Sequence, residues 1–393
     1  MKWVSSISTA ANLATAIAEA ADEAKVALGA AEPSLAVLFV SHHHAAEFPR
    51  VGEMCATHFP SALMIGCSGG SILGAGREIE DTPGLALALA SLPGVEVHPF
   101  YFASNAELPG VDDSDAWTKQ LGVAPSARPN FLLLPEPFSF DTQSLLGVLD
   151  HQYPGSTIFG GIASGARQAG DNALFLGGQM FRAGAVGLAL AGDIAVDTIV
   201  AQGCRPIGQP MFATGCHDNV IWELDGRPAL EAVKQLYASL TRADQELANH
   251  SLFVGVVMRD QQEYRHGDFL IRNLMGIDGE RGAIAVGTVL HEGAVVQFHL
   301  RDARTSAGDL EMMLQGYHAP TPPSGALLFS CLGRGVHLYG EPDHDSREFR
   351  RIIGDVPLTG FFCNGEIGQV HGSTFLHGYT SSFALFRRRF TRQ

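Results

Sequence analysis

The sequence predicts a mixed α/β protein with largely antiparallel sheets, flanking helices, and two related halves forming a bilobal body. Three observations carry that expectation. At 393 residues the chain exceeds the ~250–300 at which a single core usually stops growing. Short apolar runs punctuated by glycine and proline recur along its whole length, as in strand-rich proteins. Helical patterns lie between some of these runs, but without the strict alternation of a doubly wound parallel sheet.

Taken in order, residues 1–29 predict an N-terminal helix, with Leu13, Ile17, Ala20 and Ala24 at helical spacing. Pro33 breaks the pattern, "LAVLFV" reads as a buried strand, and a helical segment follows to about His58. "ALMIGCS", "GLALALASL" and "VEVHPFYF" are β-rich, and a polar helix is expected around Trp117. After "FLLLPEPF" comes a helix at about 141–152, then "TIFGGIAS", "NALFLGG" and "GAVGLALAG", expected as neighbouring antiparallel strands. In the second half, turn signals at Asp218-Asn219 and Asp225-Gly226 frame a short strand, and Pro228 suits the first turn of a helix. Strands follow at "LFVGVVM", "DFLIRNLM", "AIAVG" and "AVVQFHLRD", then a helix at about 303–316. The strands "GALLFSC", "TGFFCNGEIG" and "STFLHGYTSSFALF" close the chain. Three stretches echo one another as strand, glycine-rich turn and second strand, beginning at "LMIGCSGG", "TIFGGIAS" and "GFFCNGEIG", which suggests related halves.

Composition narrows the function. With 41 acids against 26 bases the formal charge is −15, a field that repels nucleic acid and anionic membranes. The basic stretch at 387–393 reads as a solvated tail. Six cysteines, none in a C-x-x-C spacing, form neither a disulfide framework nor a zinc ribbon, and a reducing, cytoplasmic setting fits. No apolar run reaches the ~18 residues of a membrane span. The N-terminal 30 residues carry Glu19, Asp22 and Glu23 and no arginine, unlike a targeting peptide.

One catalytic pattern fails on mechanics. "GCSGG" matches G-x-S-x-G around Ser68, but a nucleophile elbow needs a following helix, and the next residues hold two glycines and a proline. Metal binding is not expected either. His42, His43 and His44 point in different directions on any regular element, and strand alternation sends Cys363 and Glu366 to opposite faces. A pocket for a small polar molecule is the remaining reading. Arg272, Arg301 and Arg334 stand singly within apolar strand patterns, and guanidinium forks grip carboxylates. Their alternative partners are internal acids such as Asp268, Asp302 or Glu366. Glu366 would face an ammonium, with Asn364, His377 and Thr380 as neutral hydrogen-bonding groups.

The segments "RHGDFLIRNLMGID", "VVQFHLRDA", "GALLFSCLGRG" and "GFFCNGEIGQVHGSTFLHGYTSSFALF" resemble the C-terminal half of the FIST family. "LFVSHHH" and "LMIGCSGGSILGAGREIE" resemble its N-terminal half, and the match runs from about residue 30 to 386. The resemblance implies a FIST N-terminal domain at 30–218 and a FIST C-terminal domain at 219–386. It also implies a sensory module for a small ligand, proposed to be an amino acid or derivative, with no reaction or cofactor attached. Family members are often joined to bacterial signalling domains or occur in F-box proteins. No such output domain is evident here, so a separate signalling partner is expected. The residues carried over are Cys67, Ser68, Arg272, Asn273, Arg301, Cys331, Arg334, Asn364, Gly365, Glu366, His377 and Thr380. Two alternatives stay open. One is an enzyme with Cys331 or Cys363 as a thiol nucleophile, or with acid–base chemistry at Glu366 and His377. The other is a protein-docking adaptor without a small ligand.

Overall fold

In the computed structural model, which describes residues 1–259, 261 and 263–389, the apolar runs become strands buried on both faces. Such strands need no polar alternation, because layers cover them from both sides. Two compact units divide the chain. The larger comprises Met1–Val200, Met313–Leu376 and the chain from Thr380 onward, and the smaller comprises Ala201–Met312 and His377–Tyr379.

The larger unit is built from three segments of one plan. The first contains β1 (Lys2–Ser8), α1 (Leu13–Leu28), β2 (Leu35–Ser41), a 3-10 turn (His42–Arg50), α2 (Val51–His58), β3 (Leu63–Gly69), the hairpin β4 (Ser71–Gly74) and β5 (Arg77–Ile79), and β6 (Leu85–Ser91). The second contains β7 (Val95–Phe102), α3 (Ser114–Leu121), β8 (Asn130–Pro135), α4 (Thr142–Gln152), β9 (Ile158–Gly161), the hairpin β10 (Leu174–Leu176) and β11 (Gln179–Phe181), and β12 (Ala185–Gly192). The third begins with β13 (Ala195–Ala201) and is then interrupted by the smaller unit.

That unit carries β14 (Arg205–His217), β15 (Val220–Leu224), β16 (Arg227–Pro228), α5 (Ala229–Ser239), α6 (Arg242–Ser251), β17 (Leu252–Val257), β18 (Phe269–Asp278), β19 (Ala283–Val286) and β20 (Val295–Leu300). They form one sheet in the order β14-β20-β17-β18-β19-β15-β16, over a core of its own that includes Val254, Ile284 and Phe298. After α7 (Ala303–Gln315) the third segment resumes with β21 (Gly325–Cys331), α8 (Val336–Tyr339), α9 (His344–Ile353), β22 (Leu358–Cys363), the hairpin β23 (Glu366–Val370) and β24 (Ser373–His377), and β25 (Ser381–Arg387).

The three sheets of the larger unit run β1-β6-β2-β3-β10-β11, β7-β12-β8-β9-β23-β24 and β13-β25-β21-β22-β4-β5. Each has an edge strand, an antiparallel return strand, a central parallel pair and a hairpin supplied by another segment. The hairpins pass cyclically: first segment to third sheet, second to first, third to second. The registers agree as well, since Leu38 opposes Gly66, Leu133 opposes Gly160 and Leu328 opposes Gly360. A Cβ on any of these glycines would sit 1.8, 1.9 or 1.8 Å from the carbonyl oxygen of its opposing leucine, so no other residue fits. The sequence echo is therefore a relation among three segments of one unit rather than between two halves of the chain.

Inner faces of all three sheets share a core containing Phe39, Ile65, Leu132, Phe159, Leu188, Phe329, Phe361 and Phe386. Helices cover the outer faces. α1 is capped by Asn12, whose side chain accepts from Thr15 N–H at 3.0 Å, and it buries Leu13, Ile17, Ala20 and Ala24 against the first sheet.

Four local expectations change. Residues 1–29 hold strand β1 before the helix, because Trp3 and Val4 fill core positions opposite Ala90 and Leu89. "TIFGGIAS", "NALFLGG" and "GAVGLALAG" are not mutual neighbours. β9 runs parallel to β8, β12 lies on the other side of β8, and β10 joins β3 in a different sheet. The solvated-tail reading of 387–393 fails at Arg387, which ends β25 and pairs with Asp197 through Nε at 2.6 Å and Nη2 at 2.9 Å. Residues 390–393 lie outside the described residues. α6 and α9 were not anticipated, because polar faces dominate both.

Candidate functional site

Parallel strands end with their carboxyl ends on one side of a sheet, the place where α/β proteins gather ligand-binding loops. Here the ends of β3, β9 and β22 meet. Ser164 N–H donates to Ser68 O at 3.1 Å, Asn364 N–H to Ile162 O at 3.1 Å, and Ile162 N–H to Gly365 O at 2.9 Å. Gly70 N–H donates to Ser164 Oγ at 2.8 Å, and Ser164 Oγ in turn donates to Phe362 O. All three segments contribute to this junction.

Strand alternation predicted that Cys363 and Glu366 diverge, and the structure overturns that. β22 stops at Cys363 and β23 starts at Glu366 in a different sheet. The chain turns through Asn364 and Gly365 between them, so two-residue periodicity does not carry across. Cys363 Sγ–H donates to Glu366 Oε1 at 3.5 Å, while Thr380 donates to Oε2 from its N–H at 3.0 Å and its hydroxyl at 2.6 Å. Both residues are fully buried. Burial raises the Glu366 carboxyl to about 7, against the opposing pull of the Thr380 and Cys363 hydrogen bonds and the Arg334 charge. Burial, with Glu366 beside it, pushes the Cys363 thiol well up. Asn364 is exposed in the turn, and its amide donates to Ala163 O at 3.1 Å.

Cys331 ends β21 in direct register with Cys363 and is half-buried. Its N–H donates to Thr380 O at 3.0 Å. The same bond recurs in the other segments, from Ser41 to Gly84 and from Glu136 to Gly184, so Ser41, Glu136 and Cys331 occupy one structural position.

Arg334 is fully buried and pairs with Asp345, from Nε to Oδ2 at 2.8 Å and from Nη2 to Oδ1 at 3.2 Å. Its partner is none of the acids expected from sequence. Ser381, Ser330 and His344 also bond the Asp345 carboxylate, and the His344 ring stacks on Tyr339 at 3.5 Å. Burial alone would raise Asp345, but Arg334 and these hydrogen bonds hold it far below the usual carboxylate range. Nearby Glu78 is lifted to about 8 by burial and by the Asp345 charge.

Ser68 and Cys67 are fully buried. Ser68 Oγ accepts from Ala173 N–H at 3.1 Å and donates to Asn172 Oδ1 at 3.4 Å, while Asn172 Nδ2 donates to Glu136 Oε1 at 3.1 Å. Ser68 leads from strand into strand, and Cys67 packs in the central core.

The other four sequence-selected residues, Arg272, Asn273, Arg301 and His377, belong to the smaller unit. There Tyr379 donates its hydroxyl to Asn273 Oδ1, packs on Phe253 at 4.4 Å, and lies under the Arg301 guanidinium at 5.3 Å. Arg301 is 8% exposed, and its buried Nε and Nη2 have no hydrogen-bond partner among the described residues. Arg272 turns back to Ile271 O at 3.0 Å, and His377 is buried.

Sequence reasoning missed Glu136, Ser164, Asn172, Asp345 and Tyr379. Asp345 sits in "EPDHDSREF", which reads as a solvated acidic turn. Glu136 had a signal, a polar residue between prolines after "FLLL".

Fold and site together define an α/β protein whose three-segment unit gathers polar side chains at the carboxyl ends of its parallel strands. The FIST N domain matches residues 34–227 and the FIST C domain matches residues 229–369. The chain belongs to the FIST family. An uncharacterized protein of Mycobacterium tuberculosis is 38% identical over 383 residues, 97% of this chain and 98% of that protein. An uncharacterized Mycobacterium bovis protein is 36% identical over 374 residues, 94% and 95% of the two chains. Human F-box only protein 22 is 29% identical over 100 residues, 21% of this chain and 25% of its own. Among solved structures, a cyanuric acid hydrolase aligns over 99% of this chain and 100% of its own, with a TM-score of 0.31 and 8% identity. Among the described residues no helix is long and apolar enough to cross a membrane.

Proposed function

We propose that this FIST protein is a sensor that binds a small polar metabolite bearing a carboxylate, an amino acid or a derivative, and passes its state to a protein partner. FIST domains are recognised as sensory domains. The observation that carries the ligand class is Arg301, a buried guanidinium whose Nε and Nη2 have no hydrogen-bond partner among the described residues. A buried charge without a counter-ion costs several kcal/mol, on the order of 3–5, and a carboxylate accepting two parallel N–H bonds offsets that cost. Tyr379 and Asn273 supply an aromatic face and an amide beside it. Signalling follows if the ligand prefers one conformation of the protein over another.

A thermal-shift screen of the full chain against amino acids, dicarboxylates and amines tests this. A ligand at ~100 times its dissociation constant stabilises by about 2.7 kcal/mol. Carboxylate-bearing compounds should respond, amines lacking the carboxylate should not, and Arg301→Gln should abolish the response. A folded protein that responds to no carboxylate would sink the reading.

A further inference from the structure

We propose that Cys331 and Cys363 form a hydroperoxide-oxidisable dithiol that closes into an intramolecular disulfide, with Glu366 accepting the proton of the second thiol. Neither cysteine is in a disulfide in this structure. The two oppose each other directly in the parallel pair β21–β22. Adjacent strands lie about 4.8 Å apart, inside the roughly 4.4–6.8 Å Cα separation that disulfides span. Leu327 and Phe329 on β21, with Phe361 and Cys363 on β22, line the inner core, and two-residue alternation puts Cys331 on that same face. The pair is asymmetric in access: Cys331 is half-buried beside exposed Leu332 and Asn364, whereas Cys363 is fully buried.

That asymmetry assigns the order of events. The Cys331 thiolate attacks the distal oxygen of a hydroperoxide, forming an S–O bond and breaking O–O, and the alcohol leaves with one proton. Cys363 then attacks Cys331 Sγ, forming S–S and breaking S–O, and hydroxide leaves as water. Above about pH 7, where the Glu366 carboxyl is ionised, the thiol proton passes to its Oε1, 3.5 Å away, and from there to solvent. Two thiols and one hydroperoxide become a disulfide, an alcohol and water, a two-electron oxidation matched by reduction of the peroxide. Burial holds Cys363 protonated at rest, so it resolves rather than initiates. Nothing in this proposal depends on Arg301 or on the identity of the sensed ligand.

Hydrogen peroxide is the probe. Reduced full-length protein is oxidised, blocked with N-ethylmaleimide and mapped by mass spectrometry without reduction. The expected product is a Cys331–Cys363 linked peptide that dithiothreitol reverses. In C363S, oxidation should halt at a Cys331 sulfenic acid captured by dimedone, and in E366Q that species should accumulate before the disulfide forms. Wild-type protein that carries Cys331 to the sulfinic acid while Cys363 stays a thiol would overturn the proposal. So would linkage between two chains, or no oxidation of either residue.

Discussion

Replacing Glu366 with glutamine should remove a pH-dependent instability from the larger unit. The carboxyl is fully buried and its value rises from 4.5 to about 7. Folded protein therefore keeps this proton to higher pH than the unfolded chain does. The stability tied to the proton is complete below about pH 4.5 and is lost as pH rises to about 7. At about 1.4 kcal/mol per pH unit, that interval amounts to about 3 kcal/mol. Glutamine keeps the geometry, because its oxygen accepts from Thr380 and its amide faces Cys363 Sγ. The assay is chemical unfolding of wild type and Glu366→Gln from pH 4.5 to 8, read as the difference between the two curves. Glu78, raised to about 8 by burial and the Asp345 charge, contributes a loss of the same sign to both proteins and cancels in that difference. The variant should gain relative to wild type up to about pH 7 and hold a constant margin above it. A difference that stays flat across the range would refute a buried, proton-holding Glu366.

Two further sets of substitutions probe the frame, one at the buried ion pair and one at the strand glycines. Asp345→Asn leaves Arg334 charged and buried, so it should cost about 3–5 kcal/mol; the double variant Arg334→Met/Asp345→Leu should recover most of that in denaturant titration, and equal instability of both would contradict the ion-pair account. Gly360→Ala drives a Cβ to 1.8 Å from Leu328 O and should lower the thermal midpoint strongly. The equivalent change at Gly66 or Gly160 should do the same, whereas alanine at Gly147, which meets nothing within 4 Å, should be nearly neutral.

Much of the secondary structure was legible because burial on both faces writes strands as continuous apolar runs. "LAVLFV", "LALALA" and "FLLLP" needed no further context. β1 was harder, since "KWVSSIS" is half polar and is fixed as a strand only by pairing with β6. The candidate site was legible in its residue types and less so in its pairings. Arg334 stood out as an arginine in an apolar setting, but its partner Asp345 comes from α9, beyond a glycine-rich turn. Arg301 was equally conspicuous, yet only its burial, with Nε and Nη2 lacking a hydrogen-bond partner among the described residues, separates it from an arginine facing water.

By itself the sequence determined that this protein is a strand-rich α/β member of the FIST family, because local apolar patterning and ordered motifs are properties of short segments. Tertiary structure alone decided that three segments share one plan, exchange hairpins in a cycle, and bring Ser68, Ser164 and Asn364 to one junction. It also decided that Cys363 and Glu366 meet. The physical reason is the same in each case. A strand's sequence records which face is buried, but not which sheet the chain enters after a glycine turn, and a switch of sheet resets every neighbour.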